Sequence, residues 1–490
     1  MRRLWKATIP PALLLLAFTA CSSESGGDAA TSDYAGEAAP EAAPDAETGD
    51  AYGFNEPVSP ADDPESTFAV DVDTASYDYA RRSLGDGELP PADQVRPEEF
   101  VNYFDQAYPE PEENGFSVTV DSAPLPEWYA SDEATQIMRV GLQTRSEPDT
   151  ERRDVNLTFV IDVSGSMEQD DRIGIVRDSL HTLVAELRPT DSVAIVVYES
   201  ESDVLQGMTE VEDGEELHDA IDDLEAGGST NMQAGLEDGY ELAGEAYDAD
   251  KDNRVILLSD GEANVGLTEH DEMLEALGED IAEGTTLLTV GVGDSYNQGL
   301  LEQLADNGDG WAVYFATATE AERVFSDRLT STLGVTARDA KIQVTFDPDT
   351  VAAYRLIGFE NRAIADEDFE DDGVDAGEVG PGHSVTALYA LTLTGEDGGL
   401  AEVDVRWEDP ETEEIGTAAA DLRSGALGED ALPSLDVDMV AAAFAEVLRG
   451  SADFDCAALV PVAEKLAETT EDPDVEELAE LIAVASDLGA

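Results

Sequence analysis

The sequence predicts an α/β protein: a doubly wound, mostly parallel sheet inserted in or flanked by a β-rich domain, with a helical segment at the C-terminal end. Three observations lead there. From Val155 to about Leu333, short apolar runs alternate with helix-period stretches, as a parallel sheet covered by helices on both faces requires. On either side of that block the period falls to two, after Pro111 on the near side and, without intervening helices, beyond Lys341 on the far side. The last sixty or so residues return to helical spacing.

Taken in order, Arg2, Arg3 and Lys6 precede an apolar run from Ile9 to Phe18 that ends in Thr19-Ala20-Cys21. This is the form of a signal peptide over residues 1–20, too short to span a membrane as a helix. Residues 21–60 hold Ala, Gly, Ser, Pro, Asp and Glu with almost no large apolar side chains. Such a segment cannot repay the entropy of ordering, so we expect a disordered acidic tether.

Residues 61–150 read as an α+β region. Phe68 to Val72 alternates like a strand, Asp73 or Thr74 offers a helix cap, and Tyr77 to Leu84 follows as a helix. Pro97-Glu98-Glu99-Phe100 opens another helix, with proline in the first turn and acids at the positive end of the dipole. Phe116 to Val120 and Ile137 to Leu142 then have strand period.

The central domain, 151–335, contains strands at Val155–Ile161, Ser192–Tyr198, Arg254–Leu258 and Thr286–Val292. Its helices are expected at Ile173–Leu187, Glu215–Leu224, Met232–Tyr247, Asp271–Ala282 and Glu320–Leu333. Residues 336–430 are β-rich, with strands at Ile342–Phe346, Val385–Leu393 and Ala401–Trp407. The end, 431–490, carries helices at Val437–Leu448, Leu459–Leu466 and Val475–Leu488. Neither outer strand group encloses a core alone, so we expect residues 115–145 to pair with those after 340 in one sandwich.

Charge excludes a class of partner. Asp and Glu number 112 against 25 Lys and Arg, a formal net charge of -87. Such an anion does not seek nucleic acid. The acids are spread along periodic segments, unlike a disordered acidic tail, and self-repulsion on this scale is relieved by salt, so we read them as adaptation to high salt. Only Cys21 and Cys456 are present, and Cys456 lies in an Ala/Leu/Val-rich helical stretch, where it reads as a small buried hydrophobe.

The chemistry concentrates at strand ends. Phe159-Val160-Ile161 runs into Asp162-Val163-Ser164-Gly165-Ser166-Met167, an Asp-x-Ser-x-Ser loop where an open α/β sheet binds its ligands. Gly227-Gly228-Ser229-Thr230 precedes a helix, and Val255 to Leu258 leads into Ser259-Asp260-Gly261. Asp162, Ser164, Ser166, Thr230 and Asp260 are all oxygen donors, the set a hard cation such as Mg²⁺ prefers.

In this order along the chain the three segments resemble the metal-ion-dependent adhesion site of von Willebrand factor A (VWA) domains, whose sheet is Rossmann-like. Ser66 to Tyr77, Leu89-Pro90-Pro91 with Asn102-Tyr103-Phe104, and Tyr354 to Arg362 look like bacterial VWA lipoproteins with an uncharacterised region on each side of the A domain. The resemblance covers roughly residues 53–425. It implies that Ser164, Ser166 and Thr230 approach the ion directly or through water, with Asp162 and Asp260 partly acting through water. The ion, Mg²⁺ with Mn²⁺ or Ca²⁺ as alternatives, would be left electron-poor, and an Asp or Glu of a protein partner could complete its shell. Thr19-Ala20-Cys21 resembles a lipoprotein cleavage site, which makes Cys21 the expected lipidated residue and places the chain outside the cytoplasm, anchored to the cell membrane or outer membrane.

Other signals carry less. Asp368 to Asp375 imitates the start of a calcium loop, but Val379 stands at the twelfth place, so we read a solvated acidic loop. Asp71 and Asp73 read as helix caps, and His181, His218, His270 and His383 are scattered, His383 as a loop hydrogen-bonding residue. No nucleophile elbow, zinc-protease helix, phosphate loop or Cys/His pair occurs, so the chain is expected not to be an enzyme. A second functional class stays open, an envelope protein whose metal only stabilises the VWA loops. The chelatase type, which works beside cytoplasmic ATPases, conflicts with the signal peptide.

Overall fold

The computed structural model describes residues 53–490 except 113, 130–133, 148–151, 262–283, 294–297, 307, 309, 316, 323, 326–332, 375, 411, 425–432 and 453. The signal peptide, the tether with Cys21, the helix expected at Asp271–Ala282 and His270 lie outside the described residues, as does most of 323–333.

The front segment gives strands β1 (Glu65–Ala69), β2 (Phe116–Pro124) and β3 (Gln136–Thr144), with helices Ala75–Gly85 and Pro97–Asn102 between the first two. The central segment gives β4 (Val155–Asp162), β5 (Ser192–Tyr198), β6 (Ser202–Glu210), β7 (Asp252–Ser259), β8 (Thr286–Val292) and β9 (Ala312–Phe315). After it come β10 (Ala337–Phe346), β11 (Val351–Ile357), β12 (Gly377–Val379), β13 (Ser384–Leu393), β14 (Gly399–Glu408) and β15 (Ile415–Arg423).

The central strands form one sheet of order β6-β5-β4-β7-β8-β9, parallel except for β6. Strands β4 and β8 are buried along their whole length, which is why they read as continuous apolar runs rather than alternating ones. Helices Arg172–Glu186 and Glu215–Asp222 pack on one face through Ile173, Val176, Leu180, Leu217 and Ile221. Helices Met232–Glu245 and Gln298–Asp306 cover the other through Leu236, Tyr240, Leu301 and Leu304. The sheet is thus doubly wound. β6 escaped the sequence reading because it is an edge strand with few apolar residues and an exposed Val204.

The outer strands make two antiparallel sheets, β1-β10-β14-β15 with β12 beside β10, and β11-β13-β3-β2. β13 runs against β3 from Ser384 opposite Gln143 to Leu391 opposite Gln136. Strands from before and after the α/β domain are therefore direct neighbours, and that domain is inserted between them. Phe68, Val344 and Val403 of one sheet share a core with Met138, Val140 and Tyr389 of the other. The stacked Phe346 and Tyr354 rings, 4.2 Å apart, sit within it.

The helical end joins this body. Helices Ser434–Arg449, Cys456–Thr470 and Pro473–Leu488 share a core with the two front helices and with Ile137, Ile357 and Leu388 of the second sheet. Arg139 of β3, fully buried, pairs with Asp121 at 2.7 Å and with Asp438 of the first of these helices at 2.6 Å. Cys456 is completely buried and its thiol is pushed up to about 12 by burial, so it is inert packing. Among the described residues no helix is long and apolar enough to cross a membrane.

Asp71 and Asp73 are not helix caps. Thr74 occupies the cap position without a side-chain hydrogen bond. Both acids instead face Arg362, at 3.1 and 3.5 Å, and Asp73 also accepts the Ala312 amide at the edge strand β9. The Asp73–Ala312 bond and the Arg96–Glu302 pair at 2.7 Å dock the front segment on the central domain.

Candidate metal centre

The site is built at the carboxyl edge of the parallel sheet. β4 ends at Asp162, β7 ends at Ser259 with Asp260 next, and the loop from Gly227 to Thr230 leads into the helix Met232–Glu245. Because β4 and β7 are adjacent and parallel, their ends emerge side by side.

Asp162 is fully buried and heavily engaged. Its Oδ1 accepts the Ser164 amide at 2.8 Å, and its Oδ2 accepts the Ser259 hydroxyl at 2.9 Å and the Tyr198 hydroxyl at 3.3 Å. Ser164 and Ser166 hydroxyls lie 3.0 Å apart. Backbone bonds strap the second loop to the first: Gly227 N–H to the Val163 carbonyl at 2.7 Å, and Gly165 N–H to the Gly228 carbonyl at 3.2 Å. Gly228 has φ +86 and a Cβ there would fall 1.5 Å from Glu199 Oε2, so only glycine allows this approach. Thr230 follows at the buried end of that loop, and the Asn231 side chain caps the helix by accepting the Ala234 amide.

Four of the five residues expected to hold the metal, Asp162, Ser164, Thr230 and Asp260, are at most 2% exposed. Ser166 is half-buried and marks the open side. Burial pushes the Asp162 carboxyl up to about 6, with the charge of Asp260 adding to it and the Ser164 and Ser259 bonds opposing. Asp162 is held by hydroxyl and amide donors while Asp260 already faces a cationic side chain, and a divalent cation among these hydroxyl and carboxylate oxygens would chiefly offset the Asp162 charge. Among the described residues no cluster of three or more His, Cys, Asp or Glu has the form of a metal site. The candidate rests on a mixed set, two carboxylates and three hydroxyls.

Sequence reasoning missed three members. Ser259 bridges the two strand ends, and Tyr198 comes from β5. Arg172, the first residue of the helix after the Asp-x-Ser-x-Ser loop, places Nη1 2.7 Å from Asp260 Oδ2 in a buried pair. Its contact also explains Gly293, where a Cβ would meet Arg172 Nε at 2.3 Å. No spacing rule reveals this pair, since its members stand 88 positions apart.

The remaining signals resolve plainly. His181 and His218 are not scattered: their Nδ1 atoms lie 2.7 Å apart, with Asp222 3.2 Å from His181 Nε2. His383 Nδ1 accepts the Gly380 amide at 3.4 Å, a loop hydrogen bond. In the acidic loop the Asp371 carboxylate accepts the Gly373 amide, Lys341 donates to the Asp371 carbonyl and Arg406 pairs with Asp372. Asp375 lies outside the described residues.

Comparison with known proteins gives three family matches. Residues 156–327 match the von Willebrand factor type A domain, residues 44–138 match a model described as von Willebrand factor, and residues 331–402 match the C-terminal region of the uncharacterized protein YfbK. The chain is 36% identical over 423 residues to the uncharacterized protein YfbK of Escherichia coli K12, covering 80% of this chain and 72% of that one. Among solved structures it is similar to a von Willebrand factor type A protein from Catenulispora acidiphila (14% identity, TM-score 0.47, 78% of this chain and 98% of that one). It is also similar to proximal thread matrix protein 1 of the mussel byssus with zinc in its MIDAS motif (19% identity, TM-score 0.31, 38% and 48% covered). The inserted parallel sheet, the strand-end oxygen donors and identity running through both flanks agree: the chain belongs to the YfbK family of von Willebrand factor A domain proteins.

Proposed function

We propose that this chain is an extracytoplasmic binding module, held to the membrane by a lipid on Cys21, that grips an Asp or Glu of a partner protein through a divalent cation. VWA domains generally mediate protein interactions. Asp162, Ser164, Ser166, Thr230 and Asp260 would hold the ion, Mg²⁺ first, with Mn²⁺ or Ca²⁺ admitted by the same hard oxygens. The cation would supply Lewis acidity toward a carboxylate. The residues position it, exclude water from its inner side and leave Ser166 facing outward.

The observation that carries the reading is the strapping of the loops by the protein's own bonds. Gly227 and Gly165 amides, Ser259 and the Arg172–Asp260 pair fix the strand ends without a cation. With so many bonds of the protein's own on the inner side, an ion at the outward-facing Ser166 has recognition as its more fitting use than stabilising the loops alone.

The test compares metal binding, melting and partner capture in wild type and Ser166→Ala. Calorimetric titration with Mg²⁺ and Mn²⁺ is expected to show affinity weakened about 10- to 100-fold by the substitution, with melting almost unchanged. Proteins captured from native membranes should be lost both in chelator and in Ser166→Ala. Capture that survives both, with melting lowered by chelation, would leave the metal a purely structural role.

A further inference from the structure

At the opposite end of the parallel strands lies a second feature, independent of the metal centre. A cavity of about 490 Å³ opens where the inserted domain meets the sandwich, lined by the amino ends of β7 and β8, the start of β10, the segment after β3 and the turn between β14 and β15. β7 alone separates it from the metal loops by roughly 20 Å.

In a chain where acids outnumber bases more than fourfold, this cavity gathers Arg145, Arg153, Lys251, Arg254 and Arg338, five of the 25 Lys and Arg. Four carboxylates also line it, and two of them are engaged locally. Asp252 pairs with Arg153 at 3.2 Å, and the Asp409 carboxylate accepts the Thr412 amide of its own turn at 2.9 Å. Lys251 donates to neutral oxygens, the Thr190 carbonyl and the Ser192 hydroxyl, both at 3.1 Å.

The arginines are the informative members. Arg254 is buried, its Nε donates to the Thr286 hydroxyl at 2.9 Å, and its guanidinium lies over the Trp311 ring at 4.3 Å. Arg338, half-buried on β10, has a buried Nε with no acceptor among the described residues. Arg145, exposed at the rim, makes no ion pair among the described residues. Burial pushes Arg254 down to about 10 against the pull of Asp252 and Glu378, and the like charge of Arg338 adds to the fall. Arg145, Arg254 and Arg338 line one partly dry cavity, with Asp252, Asp339 and Glu408 facing Arg338 from its flanks, and an anion between the guanidinium groups could take several N–H donors at once.

We propose that this cavity is a binding site for a tetrahedral oxyanion, phosphate or sulfate, free or as the head of a small ester, held by Arg338 and Arg145 with Arg254 as its buried floor. A ligand there would bridge β10 and the segment after β3, the two places where the chain crosses between sandwich and inserted domain.

The experiment is calorimetric titration of the whole mature chain with inorganic phosphate and, separately, glycerol phosphate, against chloride at equal ionic strength. We expect saturable phosphate binding above the chloride background, weakened about tenfold or more in Arg338→Gln and in the exposed-site variant Arg145→Gln, and unchanged in Ser166→Ala. Tighter binding of glycerol phosphate than of phosphate would identify an ester as the occupant, and the reverse a free ion. No binding above chloride, or binding unaltered in both arginine variants, overturns the site. Loss in Ser166→Ala as well would show that any phosphate signal comes from the metal loops instead.

Discussion

Glu98 shows what a single side chain can cost. It sits in the first turn of the helix Pro97–Asn102, 2% exposed, and its Oε2 meets no hydrogen-bond donor among the described residues. Burial and the charges of Asp71 and Glu360 push its carboxyl up to about 7, with Arg96 opposing. A carboxyl raised in the fold contributes stability that is complete below its ordinary value near 4.5 and is lost as pH rises through about 7. Glu98→Gln removes the titration while keeping the shape. Wild type is therefore expected to lose about 2–3 kcal/mol relative to Glu98→Gln between pH 5 and pH 8, measured as paired denaturant unfolding curves. A difference that stays constant over that range refutes the assignment. Nothing in the sequence marks this residue, because the carboxylates that crowd it come from elsewhere in the chain. The strand-end placement of Asp162, Ser164, Ser166, Thr230 and Asp260 was legible for the opposite reason: each stands in or beside a loop leaving a strand or entering a helix, where position alone defines its neighbours. Arg172 and the His181–His218 contact were not, since helix packing brings them together.

At the level of elements, β1 closes the sandwich edge from a long way upstream. Five residues, Glu65 to Ala69, pair with β10 almost three hundred positions later. Its hold depends on Phe68, completely buried and 4.8 Å from the Phe359 ring. Phe68→Ala is expected to cost about 3–5 kcal/mol in unfolding free energy, read from a shift in denaturant midpoint at unchanged slope. A cost under about 1 kcal/mol would mean that the strand is dispensable to the core. Elements with a continuous apolar run or a strong helical period were readable in advance, and their ends moved by only a few residues. β6, β9, β11, β12 and β15 were not. β15 exposes nearly every second residue and is made largely of small side chains, while β9 and β12 are four and three residues long. Their strand character comes from neighbours that complete their ladders, which a local window cannot see. The sandwich itself was inferred from need, since neither outer strand group could bury a face alone; the β3–β13 ladder meets that need.

For the molecule as a whole, charge outweighs any single contact. Several of its few cations are spent on buried acids: Arg139 on Asp121 and Asp438, Arg152 on Asp191, Arg96 on Glu302, Arg172 on Asp260 and the half-buried Arg355 on Glu446. Exposed acids, such as those along the helix Pro473–Leu488 and in the turn after β14, are left to repel one another across the surface. A formal charge of -87 then opposes the compact state, more so because unfolding spreads the same charges apart. Screening reaches ~10 Å at 0.1 M salt and ~3 Å at 1 M, so added salt removes most of the long-range repulsion while the buried Arg–carboxylate pairs, shielded from solvent, keep theirs. We propose that the fold is adapted to high salt. Its melting temperature is expected to climb steadily from low to molar NaCl in differential scanning calorimetry, and replacing exposed acids of the last helix, Glu476, Glu480 and Asp487, by their amides should raise the low-salt melting point and flatten that slope. A melting temperature that is level or falls with salt would mean that the surface acids are neutral passengers, and the repulsion they exert on the folded chain would have to be balanced by something other than dissolved ions.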